Sequence, residues 1–132
     1  MAKRVLFVCF GNACRSQMAE GFARTYGSDV MEPASAGISP AFLLPLETQN
    51  TMAEKNIDVS EQFPKPVHIF PRNHFDVVVN MSGYPVPGYP QAIVWKVQDP
   101  IGGTPEIYRS IRDTIENLVM QLIIELRRNG SQ

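Results

Sequence analysis

The sequence predicts an α/β fold, a three-layer sandwich in which a central parallel sheet is flanked by helices. Three observations carry that prediction. Residues 4–9 and 75–81 are short, nearly continuous apolar runs rich in β-branched residues, as strands covered on both faces require. Stretches of helical period separate the strand-like runs, and β–α alternation favours parallel pairing. The C-terminal quarter repeats Ile107, Ile111, Ile115, Leu118, Leu122 and Leu126 at intervals of three and four, one long amphipathic helix.

Taken in order, Arg4-Val-Leu-Phe-Val-Cys9 is the first strand, and Phe10 to Arg15 form a turn. From Ser16 a helix follows, with Met18, Ala19, Phe22, Ala23 and Tyr26 on one face and Gly27 in the place of a C-terminal cap. Asp29–Ala36 reads as a second strand whose Pro33 suits a sheet edge. Pro40 and Pro45 punctuate a loop, and Leu46–Lys55 reads as a helix with Pro45 near its first turn. Residues 58–74, with Pro64, Pro66 and Pro71, read as irregular. Phe75–Met81 is a third strand and Ile93–Val97 a shorter fourth. Between them Tyr84–Pro90 is too rich in Pro and Gly for helix. Thr104 caps the last helix, Pro105 and Glu106 open it, and Arg127 and Arg128 complement its C-terminal dipole before Gly130.

At 132 residues the chain is long enough for one compact domain, 1–132, and too short for two of ordinary size. Hydrophobic residues at 44% and charged residues at 19% exclude disorder, collagen and coiled coil. Twelve Lys and Arg against thirteen Asp and Glu leave a charge of -1, so no basic field draws the chain to nucleic acid or an anionic membrane. No apolar run nears the roughly 18 residues of a spanning helix. Val5–Val8, broken at Gly11-Asn12, is too short for a signal peptide, so a cytoplasmic protein is expected. Cys9 and Cys14, the two cysteines, are too few for a disulfide framework and read as reactive thiols.

Cys9 ends the first strand and Arg15 follows where the helix begins, the pattern Cys-x5-Arg. Five residues, Phe10, Gly11, Asn12, Ala13 and Cys14, suffice to wrap a loop around one tetrahedral oxyanion, their N–H groups inward and the helix N-terminus adding positive potential. Gly11 lets the backbone come close, and the Arg15 fork holds two anion oxygens. A free thiol has a pKa of about 8.5, and because these donors favour the thiolate, Cys9 is expected to be an ionised nucleophile near neutral pH. Expelling an ester oxygen calls for a general acid. Asp99, stiffened by Pro100 in a loop after the fourth strand, is the candidate. No metal ligand set or organic cofactor is expected. Cys9-x4-Cys14 with His68-x5-His74 has too long a gap for a zinc finger, and both histidines read as surface residues.

Val5-Leu-Phe-Val-Cys-Phe-Gly-Asn-Ala-Cys-Arg-Ser-Gln-Met-Ala-Glu-Gly21, with Ser35-Ala-Gly37 and Asp99-Pro100, resembles the low-molecular-weight protein tyrosine phosphatases and the arsenate reductases of the same fold. The resemblance covers essentially the whole chain. It implies Cys9 as nucleophile, Arg15 as phosphate clamp, and Asp99 as acid and then base. It also implies that Asn12, Ser16 and Ser35 hold the loop, with the Ser16 hydroxyl on the Cys9 sulfur. The expected activity is hydrolysis of a phosphate monoester through a phosphocysteine, on a phosphorylated protein or a small phosphate. The alternative is arsenate reduction with an external low-molecular-weight thiol.

Three departures bear on that choice. Gln17 stands where such phosphatases place proline and looks like the reductase branch. The best-known reductases relay electrons through two further cysteines, the first just after the third strand, where this chain has Ser82, so that relay to thioredoxin is unavailable and reduction needs an external small thiol or Cys14 as resolving partner. Ile101-Gly102 after Asp99-Pro100 replaces the aromatic residue of tyrosine-specific members, while Phe42 is placed to line the pocket mouth. Cys14 is read either as packing beneath the loop or as a redox guard for Cys9. Val119 and Ile123 widen the last helix's apolar face, so a monomer or weak homodimer is expected.

Overall fold

A computed structural model describes residues 2–130. The elements follow as β1 (Lys3–Cys9), α1 (Arg15–Tyr26), β2 (Met31–Gly37), α2 (Leu46–Ala53), a 3-10 turn (Val67–Ile69), β3 (Val77–Asn80), β4 (Ile93–Val94) and α3 (Pro105–Gly130). The four strands form one parallel sheet in the order β2-β1-β3-β4. β1, buried between two neighbours, is the continuous apolar run of the sequence. Pro33 lies in β2, an edge strand, where its missing N–H is tolerated. Register places Cys9 beside Gly37 and Val8 beside Asn80, so the carboxyl ends of three strands meet at one edge of the sheet.

Alternation along β1 separates two cores. Val5, Phe7 and Cys9 face a large cluster with Met18 and Phe22 of α1, Met52 of α2, and Ile115, Val119 and Ile123 of α3. Leu6 and Val8 face a smaller cluster with Val67, Val78, Val86, Phe70 and Tyr89. Helices therefore cover one face, while the other is covered by the 3-10 turn and the Pro-rich loops. Pro64, Pro66 and Pro71 on one loop and Pro85, Pro87 and Pro90 on the other remove the donors a covering helix would need.

Three expectations change in detail. β4 has two residues rather than five, and both are exposed. Gly27 follows α1 with φ -131, so it is not a left-handed cap; a Cβ there would lie 2.7 Å from Ile123 Cγ1, and the glycine permits close packing of α3. Val119 and Ile123 are fully buried, so they are core and not an oligomer seam. Thr104 does cap α3, its Oγ1 accepting Ile107 N–H at 3.3 Å. Among the described residues no helix is long and apolar enough to cross a membrane.

Candidate active site

The turn between β1 and α1 holds its shape because its carbonyls are all engaged on the outside. Cys9 O, Phe10 O and Gly11 O accept from the N–H groups of Ile38, Ser39 and Ala41, at 3.2, 2.8 and 2.9 Å. Asn12 O accepts from Gln17 Nε2 at 2.9 Å, Ala13 O from Thr48 Oγ1 at 2.7 Å, and Cys14 O from Met18 N–H at 2.9 Å. Six successive carbonyls turned outward leave the amides facing the concavity, and among the described residues none of the N–H groups of 10–14 donates to a protein acceptor. Such a ring of free donors at a helix N-terminus has the chemistry to receive an oxyanion.

Asn12 is the residue that bends the loop, at φ 50, a left-handed conformation that asparagine tolerates better than most. Its side chain is fully buried and satisfied at both ends: Oδ1 accepts Lys65 N–H at 3.0 Å, and Nδ2 donates to Ser16 Oγ at 2.7 Å. Ser16 Oγ lies 2.9 Å from Cys9 Sγ. Because the serine oxygen already accepts from Asn12, its proton is free to point at the sulfur, the donor a thiolate requires. Gly37 makes the loop possible from behind, since a Cβ there would stand 2.9 Å from both Asn12 N and Phe10 O. Gly11 is under no such constraint, its nearest would-be contact being 3.9 Å away.

Arg15 is almost fully buried. Its Nη1 donates to Met81 O and, at 3.0 Å, to Val97 O, which fixes the guanidinium from the β3 and β4 side. Nη2 faces Asp99 Oδ2 at 3.5 Å, and Nε is buried with no partner among the described residues. An unsatisfied buried donor is rare, and here it lies on the edge of the fork that a planar pair of anion oxygens would occupy. Cys9, Arg15 and Asp99 line one cavity of about 210 Å³, together with Phe10, Gly11, Ala13, Cys14, Ala41 and Ile101. Asp99 is half exposed, and its Oδ1 accepts Ile101 N–H at 3.1 Å, which holds the carboxylate at the cavity wall.

Other sequence candidates take different places. Ser35 bonds Glu20 Oε1 at 2.6 Å and not the loop, reaching it only through its carbonyl and Lys65 Nζ, 2.9 Å apart. Phe42 is 99% exposed and lines no part of the cavity mouth. Gln17 is fully buried and belongs to a relay in which Gln62 Nε2 donates to its Oε1 at 2.7 Å while its own amide holds Asn12 O. Ser82 Oγ lies 2.6 Å from Asn80 Oδ1 and accepts Tyr84 N–H at 3.0 Å, pinning the turn after β3. The Tyr84 ring meets Phe10 at 5.6 Å, so this turn supports the loop's outer wall. Among the described residues no three His, Cys, Asp or Glu converge as metal ligands.

Cys14 lies beneath the loop, 3.2 Å from Thr48 Oγ1 and 3.9 Å from the Tyr108 hydroxyl. Burial pushes its thiol up to about 11, so it is protonated at neutral pH and a weak nucleophile. Cys14→Ser is therefore expected to slow turnover by less than roughly tenfold, measured with saturating external thiol. Complete loss in a folded variant would identify Cys14 as the resolving sulfur.

Thr48, Gln62, Lys65 and Gly37 support the loop, yet only Gly37 belongs to a recognisable pattern. The others lie in α2 and in the irregular segment 58–74, where no periodicity or spacing marks them.

Comparison with known proteins agrees with this fold. Residues 4–132 match the family described as low molecular weight phosphotyrosine protein phosphatase. A "glutaredoxin arsenate reductase" of Synechocystis sp. is 35% identical over 130 residues, covering 94% of this chain and 98% of that protein. A solved structure described as an arsenate reductase in the phosphate binding state superposes with a TM-score of 0.86 at 34% identity, covering 94% of this chain and 98% of the other. A low molecular weight protein tyrosine phosphatase from T. tengcongensis superposes with a TM-score of 0.77 at 27% identity, covering 94% and 99%.

Proposed function

The chain belongs to the low molecular weight phosphotyrosine protein phosphatase family, and within it we propose that it reduces arsenate to arsenite, with Cys9 as nucleophile and a small external thiol as reductant. The carrying observation is an oxyanion cradle whose sulfur has no ready partner thiol beside it: burial holds the Cys14 thiol protonated, and the residue after β3 is Ser82 and not a cysteine. The relatives favour reduction over the hydrolysis expected from sequence, because the Synechocystis protein and the structure in the phosphate binding state both carry the name arsenate reductase.

Arsenate has the charge and tetrahedral shape of phosphate and fits the same donors. Cys9 attacks arsenic, a sulfur–arsenic bond forms, and a protonated oxygen departs as water, with Asp99 placed to supply the proton. A thiol RS⁻ then attacks Cys9 Sγ. The sulfur–sulfur bond forms, the sulfur–arsenic bond breaks, and its electron pair reduces As(V) to As(III), which leaves as arsenite. A second thiol releases Cys9 and yields RSSR, so two thiols are oxidised per arsenate. The relative's name points to glutaredoxin as the protein that completes this exchange, and a thiol of glutathione type suits it.

Hydrolysis of a phosphate monoester is the second reading, supported by Asp99 in the same cavity as Cys9, where it could protonate a leaving ester oxygen. A parallel assay separates the two. Arsenite is expected with glutathione, glutaredoxin and their reductase, no sustained turnover with thioredoxin and its reductase alone, and only slow aryl phosphate hydrolysis. Fast hydrolysis with no arsenite in any thiol system would overturn the proposal in favour of the second reading.

A further inference from the structure

Lys65 stands between Pro64 and Pro66 in the segment that covers the back of the loop. Its ammonium donates to Ser35 O and Phe63 O, each at 2.9 Å, and lies 3.5 Å from Asn12 Oδ1 and 4.9 Å from the centre of the Phe63 ring. Its backbone is held as well, N–H on Asn12 Oδ1 at 3.0 Å and carbonyl on Gly37 N–H at 2.8 Å. Burial lowers its pKa, Glu20 raises it, and the three oxygens around the ammonium hold the charge against the loop.

We propose that Lys65 is a positioning residue that sets the polarity of the chain Lys65–Asn12–Ser16–Cys9. A cation at Oδ1 polarises the Asn12 amide and strengthens the N–H that Nδ2 gives to Ser16. The Lys65 backbone N–H on the same oxygen sets which end of the amide faces the serine, and the ammonium reinforces that orientation. Reversed, Oδ1 would accept the Ser16 proton and take it from the sulfur; held as it is, the amide leaves that proton to Cys9. The other charged groups around Lys65 are Glu20 and Arg24, and those around Cys9 are Arg15 and Asp99. Glu20 favours the ammonium. It is itself bonded by Arg24 and by Ser35 Oγ, so the lysine is left to serve the loop.

This inference rests on the reading of Cys9 as nucleophile, but its test requires neither reduction nor hydrolysis. The rate of Cys9 alkylation by iodoacetamide is followed across pH, with mass spectrometry of the Cys9 peptide, in wild type, Lys65→Met, Lys65→Arg and Lys65→Ala. Lys65→Met is expected to slow alkylation at neutral pH roughly tenfold and to move the profile to higher pH, while Lys65→Arg loses less. In Lys65→Ala, millimolar methylammonium restores the rate and tetramethylammonium, too large for the three oxygens, does not. A lysine that only staples segment 63–66 to β2 gives a lower melting temperature, an unmoved profile and no cation rescue, which overturns the proposal. Should Lys65→Met fail to fold, the methylammonium series on Lys65→Ala decides by itself, absence of rescue in the folded variant counting against the polarity role.

Discussion

Cys9→Ser abolishes arsenite formation and aryl phosphate turnover, a loss of roughly 10⁴-fold or more, while phosphate or vanadate still binds within a few-fold of wild type. The two halves of this expectation come from different atoms. In the proposed reading, binding falls to the loop amides and Arg15, none of which contains the sulfur, and serine fits a position only 2% exposed with the loss of little volume. Turnover needs a nucleophile that is ionised without a dedicated base. No histidine lines the cavity, and Ser16 is arranged to donate and not to abstract a proton. A serine hydroxyl in that setting stays protonated, and it could never form the mixed disulfide that reduction requires. Calorimetric titration with phosphate beside both activity assays measures the two halves together. Residual turnover above roughly one part in a hundred would mean that chemistry runs through another group.

Cys9 is legible in the sequence because the information that marks it is local. Cys9, Asn12, Arg15 and Ser16 sit within eight consecutive residues, and their mutual placement is dictated by a strand, a tight turn and a helix start, all of which leave local marks. Asp99 is reachable by topology, because a loop following a strand of a parallel sheet opens at the same edge as the loop after β1. Lys65, Gln62 and Thr48 are not reachable in this way. They approach the loop from 34 to 53 residues away, Thr48 from α2 and Gln62 and Lys65 from a proline-rich segment whose course no local pattern prescribes, and their residue types are ordinary surface types.

The second face of the sheet shows the same division. Val8 and Leu6 require a covering layer, and the continuity of the apolar run makes that plain. What covers them is set by prolines that forbid helix without prescribing an alternative, hence the 3-10 turn and irregular loops. Gly27 is instructive in the opposite sense. The position after a helix suggests a cap, whereas the reason for glycine is the approach of Ile123 from a helix nearly a hundred residues later. Local grammar identifies the residue; tertiary packing supplies the cause.

Arg15→Lys lowers kcat/KM by roughly 10²–10³-fold and weakens phosphate binding by roughly tenfold or more, although the charge is kept. The guanidinium does two jobs that one ammonium cannot. Nη1 bridges the carbonyls of Met81 and Val97, closing the cavity from the side of β3 and β4. The opposite edge, the unpartnered Nε and the Nη2 that faces Asp99, is left for a pair of anion oxygens. A lysine reaching the carbonyls abandons the anion, and one reaching the anion leaves two buried carbonyls short of a donor, at about 1–3 kcal/mol. The loss at the anion grows as charge builds on its oxygens in the transition state, so kcat should fall along with affinity and not KM alone. Steady-state kinetics and phosphate titration of Arg15→Lys, with thermal melting to register the carbonyl loss, check each part. A variant with near wild-type kcat/KM would show that a positive charge suffices and that the geometry of the fork is irrelevant to the reaction.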